Sequence, residues 1–185
     1  MSVSRSFRAA ARWLAPIAAA PLIAIMTGGP AHAQPFQPNA KFIARTQHPA
    51  ARCLDADLGT VGHLVTKVQL WDCNYQIQQN WNTGAWSNNT LGIWSSVSPF
   101  WCLDALPYGG NGTIVELRGC NGGLGQQWLV RGSSQPFRIV HVPTDRCLEA
   151  AAATVNANGS RMQLWDCNGQ PHQGWWVTYV ATPVG

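Results

Sequence analysis

The chain has 185 residues, a formal net charge of +4 and only 11% charged residues, while Gly and Pro number 18 and 12. Arg5, Arg8 and Arg12 fall in a leader-like start, so the rest carries nine basic residues against eight acidic ones, with no run of Lys or Arg. That balance argues against a nucleic-acid partner, which calls for a clustered basic surface, and the turn-rich composition gives little to drive solvent-exposed helices.

Residues 1–33 read as a secretory leader. The three arginines form a basic head, an apolar stretch runs over 13–26, and Ala31-His32-Ala33 offers a small-x-small cleavage site before Gln34. The apolar stretch has 14 residues and contains Pro16 and Pro21, which is too short to span a bilayer. No later stretch is apolar for longer, so membrane insertion is not expected. Adjacent arginines for twin-arginine export are missing, and no cysteine lies near the cleavage point to carry a lipid. The expected secreted product, 34–185, has 152 residues and suits one domain, with 34–41 as a short linker.

From there the chain writes one unit three times. Val68-Gln69-Leu70-Trp71-Asp72-Cys73-Asn74 returns as Val115-Glu116-Leu117-Arg118-Gly119-Cys120-Asn121 and as Met162-Gln163-Leu164-Trp165-Asp166-Cys167-Asn168, offset by 47 residues each time. Trp81, Trp128 and Trp175 close the units at the same spacing, each with a Gln two positions earlier (Gln79, Gln126, Gln173). Each unit also carries a Cys-Leu-acid triplet: Cys53-Leu54-Asp55, Cys102-Leu103-Asp104 and Cys147-Leu148-Glu149. A fixed period of this size marks a structural unit stacked on copies of itself.

Segments 42–44, 91–94 and 137–142, ahead of the triplets, read as short strands. So do the Val-Gln-Leu-Trp-type segments and the stretches around the closing tryptophans. Turn residues fill 57–62, 107–112 and 156–159. Only 150–155 looks locally helical, and it is too short to be a stable helix by itself. About four strands per copy predict a twelve-stranded all-β domain closed around a common axis, because one copy cannot bury its own apolar face. Leu70, Leu117 and Leu164 are assigned to the shared core, with Trp81, Trp128 and Trp175. The glutamines at 79, 126 and 173 are expected to hydrogen-bond backbone within their own copies.

All six cysteines lie in the repeats, with 19, 17 and 19 residues between the members of each pair. In an exported chain that pattern reads as disulfides. The repeat selects Cys53–Cys73, Cys102–Cys120 and Cys147–Cys167 from the possible pairings. A zinc site would need close pairs such as Cys-x-x-Cys, and none occurs, so neither metal nor cofactor is expected.

The Cys-Leu-Asp, Gln-Leu-Trp-Asp-Cys-Asn and Gln-x-Trp elements, in that order and three times over, resemble the ricin-type β-trefoil lectins and carbohydrate-binding modules. The resemblance covers 42–180 and implies a β-trefoil with repeats at about 42–83, 84–130 and 131–180. It also implies a shallow sugar pocket in each lobe, built from the triplet's acid, the aromatic before the second cysteine, the Gln two positions before that aromatic, and a polar residue just ahead of Gln-x-Trp. The chemistry suits a sugar: a flat aromatic covers the C–H face of the ring, a carboxylate accepts from neighbouring hydroxyls, and an amide both donates and accepts.

The lobes differ under this test. The first has Asp55, Gln69, Trp71 and Gln78, the last where the family usually has Asn. The third has Glu149 for Asp, Gln163, Trp165, and His172 in the polar position, and should be weaker. The second keeps Asp104 but carries Glu116, Arg118 and Gly125, and is not expected to bind. Asp55 and Asp104 have a plainer alternative as turn caps. Trp71 and Trp165 alternate with core Leu along their strands, so each should face outward. Carbohydrate binding of galactose- or pentose-type glycans without catalysis is therefore the expected function. No catalytic residue is assigned, since the Gly-x-Ser-x-Gly, His-Glu-x-x-His and phosphate-loop patterns are absent. A protein-binding β-trefoil, for example a protease-inhibitor-like one, is the alternative.

Overall fold

Each repeat supplies four short stretches that carry apolar residues, most of them with a β-branched or aromatic side chain, separated by turn-forming segments, and each stretch becomes a strand. The computed structural model describes residues 36–86 and 89–180; the expected leader lies outside them. The first repeat contains β1 (Lys41–Thr46), β2 (Cys53–Ala56), β3 (Thr66–Trp71) and β4 (Trp81–Ala85). The second contains β5 (Leu91–Ser95), β6 (Trp101–Ala105), β7 (Thr113–Gly119) and β8 (Trp128–Arg131). The third contains β9 (Arg138–His141), β10 (Arg146–Ala150), β11 (Ser160–Trp165) and β12 (Trp175–Tyr179). A single 3-10 turn precedes each closing tryptophan, at Ile77–Gln79, Leu124–Gln126 and Pro171–Gln173.

First and fourth strands pair in a ring: β1 with β4, β4 with β5, β5 with β8, β8 with β9, and β12 back with β1. An isolated bridge between Phe137 and Trp175 closes the remaining gap. The second and third strands of each repeat form a hairpin, and β3, β7 and β11 contact one another pairwise. A closed six-stranded barrel capped by three hairpins is the β-trefoil.

The axis is filled threefold. Leu70, Leu117 and Leu164 are buried, as are Trp81, Trp128 and Trp175. Each indole N–H needs a partner once buried. Trp81 donates to the Leu54 carbonyl (3.0 Å), Trp128 to that of Leu103 (2.9 Å) and Trp175 to that of Leu148 (3.2 Å). The closing tryptophan thus pins its own Cys-Leu-acid strand to the core. The three disulfides form the expected pairs.

Side chains also fasten one repeat to the next. Arg52 binds Asp72 and Asn158, and the Asn158 amide donates to Asp72 at 2.9 Å. The same clasp joins Arg146, Asp166 and Asn111. The second repeat has Trp101 and Gly119 where the others have Arg and Asp, so this clasp does not form there.

One local expectation changes. Residues 150–155 are not helical: Ala150 ends β10, the Ala151 N–H still reaches across the hairpin to the Arg161 carbonyl (3.0 Å), and turns follow. Hairpin pairing overrides the helical preference of the alanines. Ahead of β1, in the expected linker, Phe36 packs edge-on against Phe42 and Phe137, with ring centroids 5.9 and 5.7 Å apart.

Candidate functional site

Hairpin register assembles each site. In the first lobe Asp55 lies opposite Gln69 and Cys53 opposite Trp71; in the third, Glu149 lies opposite Gln163 and Cys147 opposite Trp165. Strand alternation then turns the leucine between them into the core and the tryptophan out. Trp71 is 40% exposed and Trp165 38% exposed, while the core leucines are buried.

Asp55, Gln69, Trp71 and Gln78 line one recess of about 180 Å³, together with Asp57 and Leu58. The Asp55 carboxylate is buried and held from both sides: Gln69 donates to Oδ1 (3.2 Å) and Gln79 to Oδ2 (3.0 Å). Those two bonds fix its orientation and leave each oxygen a further lone pair for a ligand. Burial pushes the carboxyl above its ordinary value; the Gln69 and Gln79 bonds oppose the shift, and nearby Asp57 adds to it.

The Gln79 side chain does more than the expected backbone bonding. Its carbonyl accepts from the N–H groups of Asn74 (2.9 Å) and Tyr75 (3.1 Å), and its amide donates to the Asp72 carbonyl (2.9 Å) as well as to Asp55. Gln126 and Gln173 likewise bond backbone and the acid of their own lobe.

In the third lobe Glu149, Gln163, Trp165 and His172 line a wider recess of about 450 Å³. Three alanines, Ala151, Ala152 and Ala153, form wall there, following the acid as Asp57 and Leu58 do in the first lobe. Gln163 donates to Glu149 Oε1 (2.9 Å) and Gln173 to Oε2 (2.7 Å), so the longer acid keeps the two-amide frame. His172 Nε2 lies 3.3 Å from the same Oε2, which is therefore more crowded than either oxygen of Asp55.

The second lobe is rewired. Arg118 donates to Glu116 (3.2 Å), and its Nε stands 4.0 Å from Asp104 Oδ1, on the oxygen equivalent to the one Gln69 bonds in the first lobe. The indole is replaced by a guanidinium, and among the described residues the acid keeps one amide bond, from Gln126 (3.0 Å). A Cβ on Gly125 would meet the Ala105 carbonyl oxygen at 2.5 Å, so this backbone has closed over the place of the polar side chain. Burial raises the Asp104 carboxyl too, against the Gln126 bond and the Arg118 charge, with Glu116 adding to the rise.

Sequence reasoning did not assign Asp57, Leu58, the three alanines or Asn168 to the recesses they line. Position was the available signal, since 57–58 and 151–153 follow directly on the acid-bearing strands. Among the described residues, no cluster of His, Cys, Asp or Glu could hold a metal ion, and no helix is long and apolar enough to cross a membrane.

A capped barrel with three hairpins, each presenting an amide-held acid, defines a β-trefoil of the lectin type. The chain belongs to the ricin-type β-trefoil lectin domain family, whose profile matches residues 90–183. No curated protein matches the sequence. Among solved structures, the designed threefold-symmetric protein ThreeFoil superposes with a TM-score of 0.69 at 16% identity, over 76% of this chain and 99% of its own. The Macrolepiota procera ricin B-like lectin, solved with lactose, gives 0.63 at 16% identity over 77% and 96%. An exo-β-1,3-galactanase from Clostridium thermocellum gives 0.67 at 17% identity over 76% of this chain, which spans only 30% of the enzyme. These likenesses establish the fold.

Proposed function

We propose that this protein is a secreted, non-catalytic carbohydrate-binding domain that takes galactose- or pentose-type glycans, chiefly through its first lobe. The carrying observation is the first-lobe recess, where a buried carboxylate held by Gln69 and Gln79 lies beside the exposed Trp71. The indole covers the C–H face of a sugar ring, Asp55 accepts from its hydroxyls, and Gln69 and Gln78 complete the polar edge. No step in this recognition moves a proton or breaks a bond. The third lobe, through Glu149, Gln163, Trp165 and His172, serves as a weaker second site. The second lobe, with Arg118 in place of the indole, does not bind.

A single open site of this kind is weak; a millimolar affinity is only about −4 kcal/mol. Two sites on one rigid body strengthen binding to a repeating ligand through effective concentration. Polysaccharides and dense cell-surface glycans are therefore the preferred targets. The oxidised protein on a glycan array is expected to bind galactosides or pentosans, and an Asp55→Ala, Trp71→Ala double variant to lose most of that signal. Silence from the folded wild-type protein would instead favour a protein-binding trefoil.

The raised Asp55 carboxyl gives a pH dependence with two opposite signs. A carboxyl whose folded pKa lies above its unfolded value contributes stability that is fully present below the unfolded value and is lost as pH rises through the folded one. Hydroxyl binding, in contrast, needs the ionised form. Affinity should thus fall as pH drops through a midpoint above the ordinary 3.8, while Asp55 itself does nothing to promote acid unfolding. Parallel titrations of sugar binding and circular dichroism check this; loss of both together would show that unfolding, not Asp55, sets the limit.

A further inference from the structure

Tyr75 sits in a left-handed backbone conformation, with φ of 60°, at the position where the other repeats place Gly122 (φ 66°) and Gly169 (φ 78°). A bulky side chain is disfavoured there. Two of three copies follow that preference, and the first does not. Among the described residues the ring finds neither an aromatic pair nor a hydrogen bond for its hydroxyl, and Tyr75 is 66% exposed. Its backbone is nevertheless firmly held, because the Tyr75 N–H donates to the same Gln79 that orients Asp55.

The position is also continuous with the candidate site. Trp71 and Gln78 both line the first-lobe recess, and Tyr75 lies in the short loop that joins them. Leu58, which lines the recess, and Ile77, next to Gln78 in the chain, are exposed as well. Strain retained without internal reward beside a binding recess points to a ligand.

We infer that Tyr75 forms an outer subsite, stacking on the second sugar ring of a saccharide whose first ring rests on Trp71. This rests on the lectin reading of the first lobe and narrows its ligand to a chain that offers two consecutive rings to that one lobe. The subsite belongs to the first lobe alone, since glycine in the other two repeats offers no ring.

The test is calorimetric titration of the oxidised full chain and its Tyr75→Gly variant with galactose, xylose, β-1,4-galactotriose and β-1,4-xylotriose. Wild type is expected to prefer the bound trisaccharide over its monosaccharide. Tyr75→Gly should weaken the trisaccharide by roughly two- to tenfold, leave the monosaccharide unchanged, and melt no lower than wild type because glycine relieves the backbone. Equal trisaccharide affinity in the two proteins, or a drop in monosaccharide affinity to match, would overturn the subsite while leaving the lectin reading intact. Failure of folded wild type to bind any of the four sugars would overturn both.

Discussion

Gln79→Ala is expected to cost about 3 kcal/mol of stability and to weaken first-lobe sugar binding about tenfold, whereas Gln126→Ala should cost the same stability and leave binding alone. Both side chains are fully buried. Both accept from two backbone N–H groups, donate to one carbonyl, and donate to the acid of their lobe. Alanine leaves those groups short of partners in either lobe, and the loss should appear as a melting temperature lower by about 10 °C. Of the two changes, only the first-lobe one frees a carboxylate that faces the proposed site, so Asp55 would keep Gln69 and lose its second anchor. Thermal melts and titrations of the two variants separate these contributions. A binding loss in Gln126→Ala equal to that in Gln79→Ala would mean that general loosening of the barrel, and not the hold on Asp55, controls affinity.

That pair also marks how far the sequence alone reaches. The repeat period and the Leu–Trp alternation foretell the twelve strands, the buried Trp81, Trp128 and Trp175, and the outward Trp71 and Trp165, because each follows from spacing along one strand. The bond between Gln79 and Asp55 joins residues 24 apart and depends on how a 3-10 turn folds back on a hairpin. No one-dimensional pattern carries it. The clasps of Arg52 and Arg146 are hidden for the same reason, since each needs an Asn from a neighbouring repeat. Residues 150–155 mislead in the other direction: alanine's helical preference is a property of the isolated segment, and the hairpin's continued pairing at Ala151 outweighs it. Tyr75 is legible only by contrast, as a tyrosine aligned with two glycines; its meaning requires the backbone angle.

Reduction of the three disulfides is expected to unfold the domain near 37 °C and abolish sugar binding. The bridges close loops with sequence separations of 20, 18 and 20 residues, each contributing about 3 kcal/mol in the chain-entropy view. Three such terms are on the scale of the whole stability of an ordinary domain, about 5–15 kcal/mol. Every bridge has one deeply buried end, at Cys53, Cys102 or Cys147, and another nearer solvent, at Cys73, Cys120 or Cys167, so reductant has a sulfur to attack. The first bridge also ties the strand bearing Asp55 to the chain just beyond Trp71, bracing the two groups at the centre of the proposed site. Far-UV and near-UV circular dichroism with and without dithiothreitol, followed by titration with the best-bound glycan, provide the check. A reduced protein that keeps its melting temperature and its ligand would mean that the tryptophan-filled barrel suffices alone, and would remove the strongest physical reason for this chain to fold in an oxidising compartment.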